Sequence, residues 1–159
     1  MTYTRQGRIK GFVSRSDSTF SNQEVGTSIV ELNSTKVEFT PTAFATAVIY
    51  DVTFSIAWSP DRKATFMSLR LQTSTDDSTW TDVDGCKAFC GDGYTQNDIN
   101  WHLMSAAFTL SPWSGKRYLR LAARSRDSSS EFTWGRSYTI SSGEGNGFAP
   151  QISVYSVEG

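Results

Sequence analysis

ATAVIYDVTFSIAW, residues 45–58, is the stretch on which the reading of the whole chain turns. Val48, Tyr50, Val52, Phe54, Ile56 and Trp58 fall on every second position, and between them stand Ala47, Ile49, Asp51, Thr53, Ser55 and Ala57. A period of two marks a β-strand with one apolar face, because successive side chains leave the backbone on opposite sides. At roughly 3.3 Å per residue the strand runs for more than about 30 Å. The second face of such a strand, if bathed in water, is normally Lys, Glu, Arg or Thr. Here it is small and nearly uncharged. Small residues let another backbone come close, so this face is expected to be covered, by a second subunit or by a loop of the same chain.

Strand signals recur on both sides of this stretch. TSIVELN (27–33) and TKVEFT (35–40) precede it, and FMSLRLQT (66–73) follows with Met67, Leu69 and Leu71 on one face. Next come TWTDV (79–83), MSAAFTL (104–110), KRYLRLAARS (116–125), SEFTWGRSYTI (130–140) and PQISVYSVEG (150–159). The STDDS turn between residues 74 and 78 offers Asp76 and Asp77, which cap turns with their own side chains. No window shows the i, i+3, i+4, i+7 spacing of a helix. All four prolines (Pro41, Pro60, Pro112 and Pro150) sit at the edges of strand runs, where the missing N–H costs no ladder bond. Eight to ten short strands without a fixed repeat predict an all-β, antiparallel β-sandwich, with a jelly roll as the specific architecture.

A chain of 159 residues fits one domain. Fifteen basic residues against 16 acidic ones leave a net charge of −1, which excludes a surface built as a whole for nucleic acid. No apolar run approaches the ~20 residues of a membrane helix. The opening, with Arg5, Arg8, Lys10 and Arg15 ahead of the first acid, Asp17, lacks the apolar core of a secretory signal. Synthesis in a cytoplasm is therefore expected. The same basic opening reads either as a solvated tail or as an arm that docks on an acidic partner.

The candidate chemistry is sparse. Cys86 and Cys90 are the only cysteines, and they are read as thiols or as a local disulfide. His102 is the only histidine, and no G-x-S-x-G presents a nucleophile to it. Aspartates gather at Asp76, Asp77, Asp82, Asp84, Asp92 and Asp98; Asp82, Asp84 and Asp92 stand in fragments of calcium-loop pattern without the twelve-residue whole. The Gly143–Gly147 run lacks the strand-then-helix setting of a phosphate loop. No cofactor is expected. Trp80, Phe89, Tyr94, Trp101, Trp113 and Trp134 lie in or beside expected loops, where aromatics either plug the ends of a sandwich or stack on sugar rings. Tyr94, Trp101 and Asp98, in GDGYTQNDINWH, are the candidates for touching a ligand.

Four segments carry a likeness to a known family. They are SIVELNSTKVEFTPTAFATAVIYDVTFSIAW (28–58), with Phe39-Thr40-Pro41 before Ala47-Val48-Ile49; LRLQTSTDDSTW (69–80); KRYLRLAARSRDSSSEFTW (116–134); and SSGEGNGFAPQISVYSVEG (141–159). Together they resemble a trimeric, tumour-necrosis-factor-like jelly-roll knob of tailed-bacteriophage virion proteins, of the marine and cyanophage type. The ending Val157-Glu158-Gly159 departs from the acidic–hydrophobic pair on which that family closes. The resemblance implies residues 26–159 as the knob and 1–25 as an arm for attachment to the virion. It implies a homotrimer with Ala47, Ile49, Asp51, Thr53, Ser55 and Ala57 near the threefold axis. It also implies other virion proteins and a host surface glycan as partners, neither nucleic acid nor membrane insertion, no enzymatic activity, and a place on fibre, tail or capsid. The alternative from another class is a carbohydrate-binding, lectin-like module. An enzyme acting on glycans is the third reading, and no nucleophile–base pair supports it.

Overall fold

The computed structural model describes residues 8–15, 23–58, 65–92, 100–125, 132–135 and 149–159. Its strands in chain order are β1 (Arg8–Arg15), β2 (Gln23–Val25), β3 (Val30–Glu31), β4 (Val37–Phe39), β5 (Ala45–Trp58), β6 (Thr65–Ser74), β7 (Thr81–Asp92), β8 (Asn100–Leu110), β9 (Arg117–Ser125), β10 (Phe132–Trp134) and β11 (Gln151–Glu158). All pairings are antiparallel.

Two sheets result. In sheet A, β5 is flanked along its whole inner length by β8, and on its other edge by β11 and then β10. β1 continues outward from β11, and β2 from β10. In sheet B the order is β4 and β3 on one edge of β9, then β6, then β7. The pairs β1–β11, β4–β9, β5–β8 and β6–β7 are nested one inside the next. The contacts β11–β5 and β9–β6 then join them into two sheets. A hairpin wrapped on itself in this way is a jelly roll, as the strand pattern predicted.

The alternation in residues 45–58 is realised as read. Val48, Tyr50, Val52, Phe54 and Ile56 are buried, and they meet Met67, Leu69, Leu71, Leu119, Leu121 and Ala123 from sheet B. Trp134 closes one end of this core, stacked on Phe54 at 4.6 Å with its Nε1–H donating to the Asn33 carbonyl at 3.1 Å. Buried polar atoms are matched where the chain breaks its ladder. Between β3 and β4, the Thr35 hydroxyl accepts from the Leu121 N–H at 3.0 Å, and the Tyr50 hydroxyl donates to the Thr35 carbonyl at 2.6 Å. Without Thr35 that central strand amide would be buried and unpaired, which costs about 1–3 kcal/mol.

The chain departs from expectation at two places, and it settles the alternative left open for the cysteines. Within the expected arm 1–25, residues 8–15 and 23–25 are strands β1 and β2 of sheet A. Gly11, at φ +61°, turns a bulge between Lys10 and Val13 and interrupts the alternation that would have shown β1 in the sequence. β7 and β8 are both longer than the runs 79–83 and 104–110. Finally, Cys86 and Cys90 both lie in β7, four residues apart. At roughly 3.3 Å per residue their Cα atoms are about 13 Å apart, against the ~7 Å limit of a disulfide. The local disulfide is excluded. Cys86 is a buried thiol, and burial raises its pKa above the ordinary range.

Candidate functional site

Two surfaces of the sandwich stand out chemically. The first is the outward face of sheet A. Register places Ile49 opposite Thr109 and Tyr155, Asp51 opposite Ala107 and Ser153, and Thr53 opposite Ser105 and Gln151. At one end Ile9, Val157 and Ala47 form a row, and towards the other Leu103 stands opposite Ser55. Among residues 47–57, 103–109 and 151–157 that face outward, Asp51 is the single charged side chain. Ile9 is 63% exposed and Leu103 69% exposed, so this face shows water two large aliphatic groups. Across its middle, the Thr53 and Ser105 hydroxyls bond to each other at 3.1 Å.

Of the six residues expected at an interface, Ala47, Ile49, Asp51 and Thr53 are half-exposed and lie on this face. Ser55 and Ala57 are on the same face but are already buried within the chain. The surface open to a partner is therefore centred on Ile49, Asp51 and Thr53.

The second surface is a cleft of about 350 Å³ at one end of the sandwich, where β7 and β8 form facing edges of the two sheets. Its origin is a large bulge. Arg70 pairs with Lys87 but Gln72 pairs with Asp82, so Val83, Asp84, Gly85 and Cys86 stand opposite Leu71 alone. Gly85, at φ +74°, makes this excursion without strain, since the left-handed region is open to glycine. The bulge brings Val83 and Asp84 to the cleft, and Cys86 Sγ donates to the Thr109 carbonyl of β8 at 3.6 Å. The opposite wall is Trp113 and Arg117, from the turn that Gly115 (φ +77°) closes before β9.

Trp113 is packed edge-on against Phe39 at 6.3 Å, and the Arg117 guanidinium lies over its ring at 5.4 Å. Register puts Arg117 opposite Phe39, on the inward side of sheet B at its open end. Among the described residues neither Arg117 nor Asp84 makes an ion pair, with each other or with a third group. Trp113 Nε1 and Thr73 Oγ1, both from residues that line the cleft, are buried without a hydrogen-bond partner. Native interiors leave few such atoms.

The remaining candidates fall elsewhere. Tyr94 and Asp98 lie outside the described residues, as does the Gly143–Gly147 run. Trp101 is in β8 opposite Ala57, not in a loop. His102 is half-buried on β8 opposite Ile56. Asp82 is committed to protein: Arg70 donates to it at 2.8 Å and Gln72 at 3.0 Å, and these bonds, the Gln72 one foremost, hold its carboxyl below the ordinary range. Asp92 ends β7, and Asp84 is in the cleft. Among the described residues no three His, Cys, Asp or Glu side chains gather as a metal site, and no helix is long and apolar enough to cross a membrane. Asp76 is a turn-former: the Thr79 and Ser78 amides donate to it at 2.8 and 2.9 Å, and the Ser74 hydroxyl at 2.8 Å.

No protein-family model matches the chain, and no curated protein is significantly similar to it. Among solved structures it is similar to Eiger TNF from S. frugiperda, with 12% identity over 92% of this chain and 93% of that one, at a TM-score of 0.37. The class of the protein, an antiparallel jelly-roll sandwich, rests on its own nested strand pairing.

Proposed function

We propose that the chain is a structural protein of a bacteriophage virion: a homotrimeric jelly-roll knob, at a fibre head, tail or capsid decoration, that serves assembly or contact with the host surface. The observation that carries the homotrimer is the outward face of sheet A. A solvated sheet face is expected to hold interspersed charges, and contiguous exposed apolar area marks an interaction surface. Over β5, β8 and β11 this one has a single carboxylate, Asp51, with mostly small side chains around it, and Ile9 and Leu103 as exposed aliphatics. What supports the virion role is the likeness of residues 28–58, 69–80, 116–134 and 141–159 to phage knob domains. Other virion proteins are the expected partners, with no part for nucleic acid, membrane insertion or catalysis.

The test of the virion role is gold-labelled antibody against the chain, applied to purified particles of a phage that encodes it. Label on a fixed feature of intact particles is the expected result. Label confined to the soluble lysate overturns the proposal. Contact with a host glycan, the carbohydrate-binding reading, is favoured by one observation of its own, the end cleft whose Arg117 and Asp84 form no ion pair among the described residues.

A further inference from the structure

We infer that the cleft between β7 and β8 binds a carboxylate-bearing sugar, with Arg117 holding the acid and Asp84 the ring hydroxyls. This rests on the glycan-contact reading above and not on the assembly of the chain.

The groups in the cleft state what a ligand must bring. Arg117 needs an anion. Its guanidinium lies over the Trp113 ring at 5.4 Å and has no carboxylate partner among the described residues. A planar fork restrained in this way suits two parallel hydrogen bonds to a carboxylate. Asp84 needs donors. The exposed Thr109 hydroxyl can serve as donor or acceptor. Ser111 adds a further hydroxyl to the lining.

A phosphate or other multiply charged anion meets Arg117 but is repelled by Asp84. A neutral sugar meets Asp84, Thr109 and Ser111 but leaves Arg117 unmatched. A small zwitterion satisfies the two charges alone, and leaves the hydroxyl lining and much of the 350 Å³ unused. A pyranose with a carboxylate supplies one anion and several hydroxyls, each both donor and acceptor. The volume lies at the lower end of the ~300–1,000 Å³ range of ligand sites, in keeping with one or two sugar rings.

The experiment compares galacturonate with galactose, which differ at C6 only, by saturation-transfer NMR on the whole chain, with glycine as the zwitterion control and ligands raised to about 20 mM. Galacturonate is expected to bind about tenfold or more tightly than galactose, the scale of a charge-assisted pair. The Arg117→Gln variant should bring galacturonate down to the galactose level without changing galactose. Asp84→Asn should weaken both sugars alike. An unchanged thermal midpoint in Asp84→Asn keeps the test valid if Arg117→Gln disturbs the packing of Trp113. Equal binding of the two sugars overturns the acid assignment and leaves the glycan reading standing. Binding of glycine in place of either sugar overturns both in favour of an amino-acid site. No binding of any probe overturns both.

Discussion

The two outward faces of this sandwich are built from the same strand geometry and solve the problem of water in opposite ways. On sheet B, side chains from four strands interlock. Arg70 and Gln72 donate to Asp82, Arg120 donates to Gln72 and to Glu31, and the Trp80 ring covers the Arg120 guanidinium at 3.9 Å. Arg124 and Lys87 stand on the same face, and Lys116 pairs with Glu38 at 3.3 Å. Arg70, Arg120 and Lys116 there are each held by neighbours, and the face is suited to solvent. On sheet A the same positions are Ala47, Ile49, Thr53, Ser105, Ala107 and Ser153, with Asp51 the single charge among them. Cross-strand pairs are the unit by which a sheet face is stabilised. Sheet A fills most of these positions with small groups, of which Thr53 and Ser105 bond to each other across the strands. The difference teaches that lack of charge on one face only is a feature of that face, since the sandwich as a whole has charged residues to spare.

The sharpest way to break the comparison is to attack what both faces share. Phe54→Ala removes the ring on which Trp134 stacks and should destabilise the chain by about 3–5 kcal/mol in urea melts, whereas its outward neighbour Thr53→Ala should cost less than about 1 kcal/mol. Similar losses at both positions would refute the assignment of faces along β5. The next effect is on assembly. Ile49→Asp puts a second carboxylate beside Asp51 on each chain, and should reduce the particle mass to that of one chain while the midpoint of protomer unfolding stays nearly constant. The matching change on sheet B, Arg124→Asp, should leave the mass unaltered.

A smaller effect is expected inside the sheet B network. Arg120→Ala loses its bonds to Gln72 and Glu31 and its place over Trp80, and should cost about 1 kcal/mol, less in high salt, because the pair with Glu31 is partly exposed. The smallest belongs to the Asp76 turn. Donation from the Thr79 and Ser78 amides and the Ser74 hydroxyl holds its carboxyl far below the ordinary range. A group whose folded pKa is depressed stabilises above its unfolded value, about pH 4, and the contribution is lost as pH falls below that towards the folded pKa. Asp76→Ala should therefore melt below the parent chain at pH 7, and the gap should close on titration towards pH 2. A gap independent of pH would mean that the charge of Asp76 has no part in it.

How far the sequence discloses these features depends on how regular the backbone is. β5 is legible to its last residue, because nothing interrupts fourteen positions of alternation, and β6, β9 and β11 follow within a residue or two for the same reason. β1 is hidden by Gly11, whose bulge shifts the register by one, and by its basic residues, which resemble a tail. The second half of β7 is hidden by Asp84-Gly85-Cys86, where four residues bulge opposite one and the period is lost. That sequence suggests fragments of a calcium loop when read alone. A glycine inside a strand pattern is instead the mark of a bulge. The charge-poor face is legible on β5 and gains its true extent only when register adds Ile9, Leu103, Ala107 and Ser153. The cleft was not legible. Thr73, Asp84, Trp113 and Arg117 come from separate strands and a turn, share no motif, and meet only through the nested pairing of the jelly roll.

The measurement that tests the central claim most directly is the mass of the intact chain by light scattering on a size-exclusion column, across micromolar concentrations. If the charge-poor face of sheet A is the surface by which three copies meet, the mass is three times the 17.6 kDa of one chain. A constant mass of 17.6 kDa over that range would show that Ile49, Asp51 and Thr53 face water without a partner copy, and would contradict the account.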